Sequence, residues 1–233
     1  MGASNFEILA CEETPLGMIC LRQRELSGPP GTMVTELTLD HAFLMSSHVT
    51  ASEQAVARYA IEMHPGRALD VLVGGLGLGY TAREVLLAGG ERVARVEVIE
   101  YLPPVIKWME QDLLPLSGAL KADERVAIVE GDVYARLAGP VTQRYDLIII
   151  DVDHSPDEHL GTANESFYTE AGLTRAREHL ADGGVLAVWS YAEHSPFATA
   201  LQQVFGAVRV EPITVMNDVV DAEQTDWLFF VQR

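Results

Sequence analysis

The stretch Leu72-Val73-Gly74-Gly75-Leu76-Gly77-Leu78-Gly79-Tyr80 decides the fold. An apolar run enters a cluster of glycines, and residues at helical spacing follow it. Glycine lets the backbone approach a ligand closely, and the start of the following helix offers free N–H groups to an anionic or polar group. Gly75, Gly77 and Gly79 are spaced G-x-G-x-G. A dinucleotide fingerprint has its third glycine one place later, where Tyr80 stands, so the loop argues against NAD. Glycines also build ordinary strand-to-helix turns, and the loop therefore has to be read with its surroundings.

Outward from this loop, short β-rich runs alternate with helical patterns, which marks a parallel sheet built of βαβ units. Strands are expected at Ala68–Val73, Arg95–Glu100, Arg125–Glu130, Asp146–Val152 and Val185–Ser190. Several are apolar almost throughout, as strands covered on both faces should be. Helices are expected at Tyr80–Ala88, Pro103–Asp112, Glu165–Leu180 and Ser195–Phe205. No helical pattern separates the last two strands, Val208–Val215 and Trp227–Val231, so they should pair antiparallel at one edge. The fold class is thus α/β, a doubly wound Rossmann-like sheet of the AdoMet-dependent transferase type with an antiparallel C-terminal hairpin. Ahead of it, a hairpin turning at Thr14–Gly17 and an extended pair, Met33–Leu39 and His41–Met45, form a small β appendage. The division expected is residues 1–50 for the appendage and 51–233 for the transferase domain, the latter opening with a helix at Ser52–Met63 and Ser52 as its N-cap.

The 233 residues carry 16 Lys+Arg against 34 Asp+Glu, a net charge of −18. That sign opposes nucleic acid and anionic membranes and is compatible with cationic small molecules. No apolar run approaches the length of a membrane span. The start, MGASNFEILACEE, has neither the basic segment nor the apolar run of a secretory signal, so a cytoplasmic protein is expected. Its two cysteines, Cys11 and Cys20, could meet across a hairpin; the simpler expectation is two free thiols in a reducing compartment.

Carboxylates gather where the strands end. Glu100 closes the second strand and could accept both hydroxyls of a ribose. Asp132 closes the third, where it could accept the exocyclic amine of an adenine or cap the helix containing Tyr134–Leu137. Asp151 follows the apolar run Leu147–Ile150, and a carboxylate leaving a buried strand is costly unless it is used or paired. From Asp151 to Glu170 six acids occur with no Lys or Arg, either an acidic mouth for a polyamine or a hydrated loop. Asp153, His154, Asp157 and His159 match no metal-site spacing.

These segments resemble the spermidine synthase-like family of polyamine aminopropyltransferases. LVGGLGLGYTAREVL, VEVIE, DERVAIVEGD, YDLIIIDVD and SFYTEAGLTRAREHLADGGVLAV carry the likeness. The resemblance implies that Gly75, Gly77, Gly79, Glu100 and Asp132 hold the thioadenosine part of AdoMet or decarboxylated AdoMet. It implies that Asp151 assists the attacking amine, with Asp153 and His48 as candidates for binding the acceptor. Leu78 stands where the family carries a loop acid that meets the aminopropyl ammonium, so the residue bears on whether aminopropyl or methyl is transferred. Expected partners are a small-molecule amine acceptor and neither nucleic acid nor membrane; no metal is implied, and a homodimer is left open. The competing readings are an AdoMet-dependent methyltransferase and a non-catalytic thioadenosine-binding protein.

Overall fold

The computed structural model describes residues 6–26, 31–152, 155–156, 166–217 and 222–233. Four N-terminal strands, β1 (Phe6–Thr14), β2 (Gly17–Glu25), β3 (Met33–Leu39) and β4 (Ala42–Ser46), make an antiparallel sheet in chain order. The β1–β2 turn forms where Thr14-Pro15-Leu16-Gly17 predicts it: Leu16 N–H donates to the Thr14 hydroxyl and Gly17 takes φ +121°. This register sets Cys11 opposite Cys20 with Cα atoms 4.2 Å apart, and the two form a disulfide. The expectation of free thiols is therefore corrected. It rested on compartment alone and gave no weight to the register that the turn imposes.

Helix α1 (Ala51–Met63) leads into the large sheet, whose strands are β5 (Leu69–Gly74), β6 (Val93–Glu100), β7 (Val126–Glu130), β8 (Tyr145–Ile150), β9 (Leu180–Ser190), β10 (Arg209–Asn217) and β11 (Ala222–Gln232). Their order is β10-β11-β9-β8-β5-β6-β7. The five from β9 to β7 are parallel, and β11 and β10 add antiparallel at one edge, as the missing helical pattern predicts. Because β5 pairs with both β6 and β8, the chain reverses its winding there, and a crevice opens beyond the carboxyl end of β5.

Alternation along each strand divides the core in two. Leu147 and Ile149 pack on one side of the sheet with α1 and α2 (Tyr80–Gly89), whereas Ile148 and Ile150 pack on the other with α6 (Glu170–Glu178) and α7 (Ser195–Phe205). Such strands read as continuous apolar runs because both faces are covered. Three shorter helices, α3 (Pro103–Glu110), α4 (Ser117–Lys121) and α5 (Val133–Ala138), complete the layers.

Some boundaries differ from expectation. Helix α6 starts at Glu170, because the Thr169 hydroxyl caps it by accepting from Gly172 N–H, and β9 starts five residues earlier than Val185. Ser52 is not an N-cap. Thr50 holds that position without a side-chain capping bond, and Ser52 is buried inside the first turn.

Candidate active site

A cavity of about 790 Å³ opens between the small sheet and the carboxyl edge of the large one. Its floor is the glycine loop. Gly75 has φ +91°, and a Cβ there would lie 2.2 Å from the Asp151 carbonyl oxygen, so only glycine lets β5 and β8 close at this point. Gly75 and Gly77 line the cavity, with Met45 of β4 packed on Gly77. Gly79 does not belong to the lining; it is the N-cap residue of α2 and packs against Leu116 and Leu120. The loop acid position behaves differently from the sequence reading. Leu78 is 0% exposed in the core, and its N–H points to the Met45 sulfur at 3.3 Å. Its side chain does not line the cavity, and the glycines on either side have positive φ.

Glu100, at the end of β6, is 7% exposed. One carboxylate oxygen accepts Leu76 N–H and the other accepts Leu102 N–H, each at 2.8 Å. Burial pushes its pKa up, and backbone N–H groups of Leu102, Leu76, Gly77 and Tyr101 oppose that shift. Glu100 also lines the cavity. Asp132 is the N-cap of α5: its Oδ1 accepts Tyr134 N–H at 2.8 Å and Ala135 N–H at 3.1 Å. Capping is thus one of its roles, and the residue also lines the cavity.

Asp151 follows β8, tied to β5 by its N–H to the Gly74 carbonyl at 3.0 Å. Its Oδ2 accepts the Thr81 hydroxyl from the first turn of α2 at 2.5 Å. Burial pushes its pKa up to about 6, with the charge of Asp226 adding to the shift and the Thr81 bond opposing it. Two further carboxylates that sequence reading missed share this wall. Glu53 on α1 is 9% exposed, and Asp226 on β11 is 3% exposed. The Ser52 hydroxyl stands 2.6 Å from Asp226 Oδ2 and 3.1 Å from Glu53 Oε2. Burial, then the charges of Asp151 and Asp226, push the Glu53 pKa up to about 8. Burial raises Asp226 too, against hydrogen bonds from Ser52 and Gln224. A serine hydroxyl has one hydrogen. With Glu53 protonated, its O–H donates to Ser52 Oγ, and Ser52 donates onward to Asp226.

The signal for both missed acids lies in periodicity. Glu53 falls three, four and seven residues before Val56, Ala57 and Ala60, on the core stripe of α1. Asp226 alternates with Leu228 and Phe230, on one core face of β11. An acid at a core position is costly unless used, and that cost is readable from sequence.

His48 lines the same cavity, with its N–H donating to the Ser46 hydroxyl at 3.2 Å. Asp153 lies outside the described residues, as do Asp157, Glu158 and Glu165 of the acidic run and the His154 and His159 beside it. Among the described residues no group of His, Cys, Asp and Glu is arranged to hold a metal ion. No described helix is long and apolar enough to cross a membrane.

No family model matches the chain. It is 30% identical over 169 residues to a polyamine aminopropyltransferase of Corynebacterium efficiens, a match spanning 70% of this chain and 31% of that protein. It is 35% identical over 131 residues to polyamine aminopropyltransferase 2 of Streptomyces coelicolor, across 54% of this chain and 23% of that one. The chain thus spans less than a third of the curated relatives it matches. Among solved structures, a spermidine synthase in complex with the transition state analogue AdoDATO superposes with TM-score 0.75 at 19% identity, covering 97% of this chain and 73% of that one. Spermidine synthase from Thermotoga maritima gives TM-score 0.72 at 18% identity, covering 97% and 72%. Human methyltransferase-like protein 13 in complex with SAH gives 0.53 at 17% identity, covering 77% and 78%. Coverage of 97% takes in the small sheet as well as the large one. The chain is thus similar in sequence to polyamine aminopropyltransferases over part of their length, and in fold to spermidine synthases.

Proposed function

We propose that the chain binds an adenosyl sulfonium, AdoMet or decarboxylated AdoMet, and transfers an alkyl group of aminopropyl type to a small-molecule amine. The observation that carries this reading is one cavity wall holding three carboxylates, Glu53 and Asp226 buried and Asp151 half-buried, next to a glycine loop flanked by Glu100 and Asp132. Buried acids with raised pKa values favour a cation that takes the place of their protons. The names of the relatives and structural neighbours support the same chemistry.

In this reading Glu100 accepts ribose hydroxyls, Asp132 accepts the adenine amine, and Gly75 and Gly77 leave room for the nucleoside. The sulfonium already supplies a good leaving group, so the transfer calls for no metal. The protein has to align the reactants, hold the attacking nitrogen unprotonated and exclude water. As the nitrogen–carbon bond forms and the carbon–sulfur bond breaks, the thioether nucleoside leaves and the nitrogen becomes cationic. Asp151 Oδ accepts the proton it sheds. A carboxylate raised to about 6 is a stronger base than an ordinary one and still ionised at neutral pH. Glu53 and Asp226 hold positive charge on the acceptor near that nitrogen. Asp153 and His48 are assigned to the acceptor on the resemblance alone.

The test is turnover of AdoMet or decarboxylated AdoMet with a panel of amines, followed by mass spectrometry of both products. Asp151→Asn should lower turnover by roughly a hundredfold or more, the usual scale for loss of a general base, while methylthioadenosine binds as before. Lost nucleoside affinity with retained turnover would mean that Asp151 is a nucleoside ligand and not the base.

A further inference from the structure

The acidic wall occupies one part of the cavity, and the small sheet supplies a part of opposite sign. Arg22 on β2 and Glu36 on β3 are directly paired, and Arg24 lies on the same face two residues on. Arg22 Nε donates to Glu36 Oε2 at 2.8 Å, and Arg24 Nε donates to Oε1 at 2.6 Å. Glu36 is 2% exposed, and all three residues line the cavity. Two guanidiniums therefore share one carboxylate, leaving one uncompensated positive charge. Among the described residues, their four terminal Nη atoms make no other hydrogen bond or ion pair. In a chain of net charge −18 this is a local reversal of sign.

Both charged regions line the same cavity. Glu36 pairs with Ser46 across β3–β4. Ser46 lines the cavity, as does Tyr80 at the start of α2, which lies within electrostatic reach of Glu53. A phosphate dianion bound at the arginines would face three carboxylates nearby. One ligand carrying both a carboxylate and an ammonium matches the two regions, and guanidinium forks suit carboxylate geometry.

We propose that Arg22 and Arg24 bind a carboxylate of the substrate, so that the site takes a zwitterionic, amino-acid-like ligand and not a bare polyamine alone. This inference rests on the nucleoside and amine reading above. The carboxylate has two sources: the methionine tail of AdoMet, which its decarboxylated form lacks, or an acceptor that is an amino acid.

Calorimetry on the full chain separates these sources with two matched pairs. AdoMet is compared with decarboxylated AdoMet, and, in the presence of saturating methylthioadenosine, ornithine is compared with putrescine. The carboxylated member of at least one pair should bind about tenfold or more tightly than its partner, and the pair that responds identifies the source. Arg24→Gln and Arg22→Gln should remove that preference and leave methylthioadenosine affinity unchanged. Glu36→Gln frees both guanidiniums and should strengthen the preference, a change opposite in sign to any general damage to the sheet. Preference for the decarboxylated member in both pairs by the unsubstituted protein overturns the proposal, and so does a preference that none of the three variants moves. Failure of methylthioadenosine to bind would instead overturn the nucleoside reading, an outcome recorded separately from either pair.

Discussion

Replacing Glu53 with glutamine should make the free protein more stable at neutral pH, even though the residue sits in the proposed acceptor site. In the folded chain Glu53 is buried beside Asp151 and Asp226, and its pKa is pushed up from the ordinary 4.5 to about 8. At pH 7 the unfolded chain has released this proton and the folded chain still holds it. Each pH unit above the unfolded value then costs folding about 1.4 kcal/mol, which places the penalty at pH 7 near 3 kcal/mol. For an acid whose folded pKa is raised, the penalty is absent below about pH 4.5. It grows as pH rises toward 8 and is constant above that. Glutamine keeps the shape, can donate its amide N–H to Ser52, and has no proton to lose. Urea unfolding of Glu53→Gln and the unsubstituted chain, followed by tryptophan fluorescence between pH 4.5 and 8, should show two nearly equal midpoints at the acid end. The variant should lead by a widening margin above it. A saturating diamine should narrow the margin at pH 8, because a bound cation compensates the ionised cluster. A stability difference that does not change with pH, or a less stable variant at pH 8, would refute the placement of Glu53 among buried acids.

Three further substitutions test the remaining assignments. Glu100→Ala should weaken methylthioadenosine binding by roughly 1.5–3 kcal/mol, the range for hydrogen bonds to a charged acceptor, and unchanged affinity in a folded variant would remove Glu100 from the nucleoside site. Asp132→Ala should lower stability by about 1 kcal/mol through loss of the α5 cap, whereas Asp132→Asn, an equally good cap, should not; chemical denaturation compares the two. Leu78→Asp should unfold or severely destabilise the chain by several kcal/mol, since it places a carboxylate in the core. A well-folded Leu78→Asp protein with altered preference between AdoMet and its decarboxylated form would restore the reading in which this position faces the ligand.

What was legible in the sequence follows from how strongly each physical constraint marks it. Burial on both faces writes an uninterrupted apolar run, so β5 and β8 could be placed from Leu72–Val73 and Leu147–Ile150, and with them the crevice where Gly75, Glu100, Asp132 and Asp151 meet. Side-chain direction in the loop was not legible. Positive φ at Gly75, Gly77 and Gly79 redirects the chain at alternate residues, and spacing alone does not say that Leu78 turns into the core. The Cys11–Cys20 bridge depends on hairpin register, which the turn fixes and the count of cysteines does not. Ser52 was recognised as a polar residue opening a helix, but its partner Asp226 lies 174 residues away.

That separation bears on why the cluster exists. Glu53, Asp151 and Asp226 come from a helix, a parallel strand end and an antiparallel strand, so local sequence preference brings none of them together. Glu53 and Asp226 occupy buried positions, and burying an acid without a cation costs stability where a hydrocarbon would add to it. Ser52 and Thr81 soften this cost by donating hydroxyl hydrogen bonds, yet the Glu53 and Asp151 pKa values remain raised. The fold thus carries an unfavourable charge arrangement that a bound cation would relieve, at the end of β8 where an attacking amine would stand. Nearby, the Arg22–Glu36–Arg24 group carries the opposite imbalance on the same cavity. Neither imbalance is satisfied by the described residues of the chain itself, and one ligand bearing both an ammonium and a carboxylate would relieve the two together.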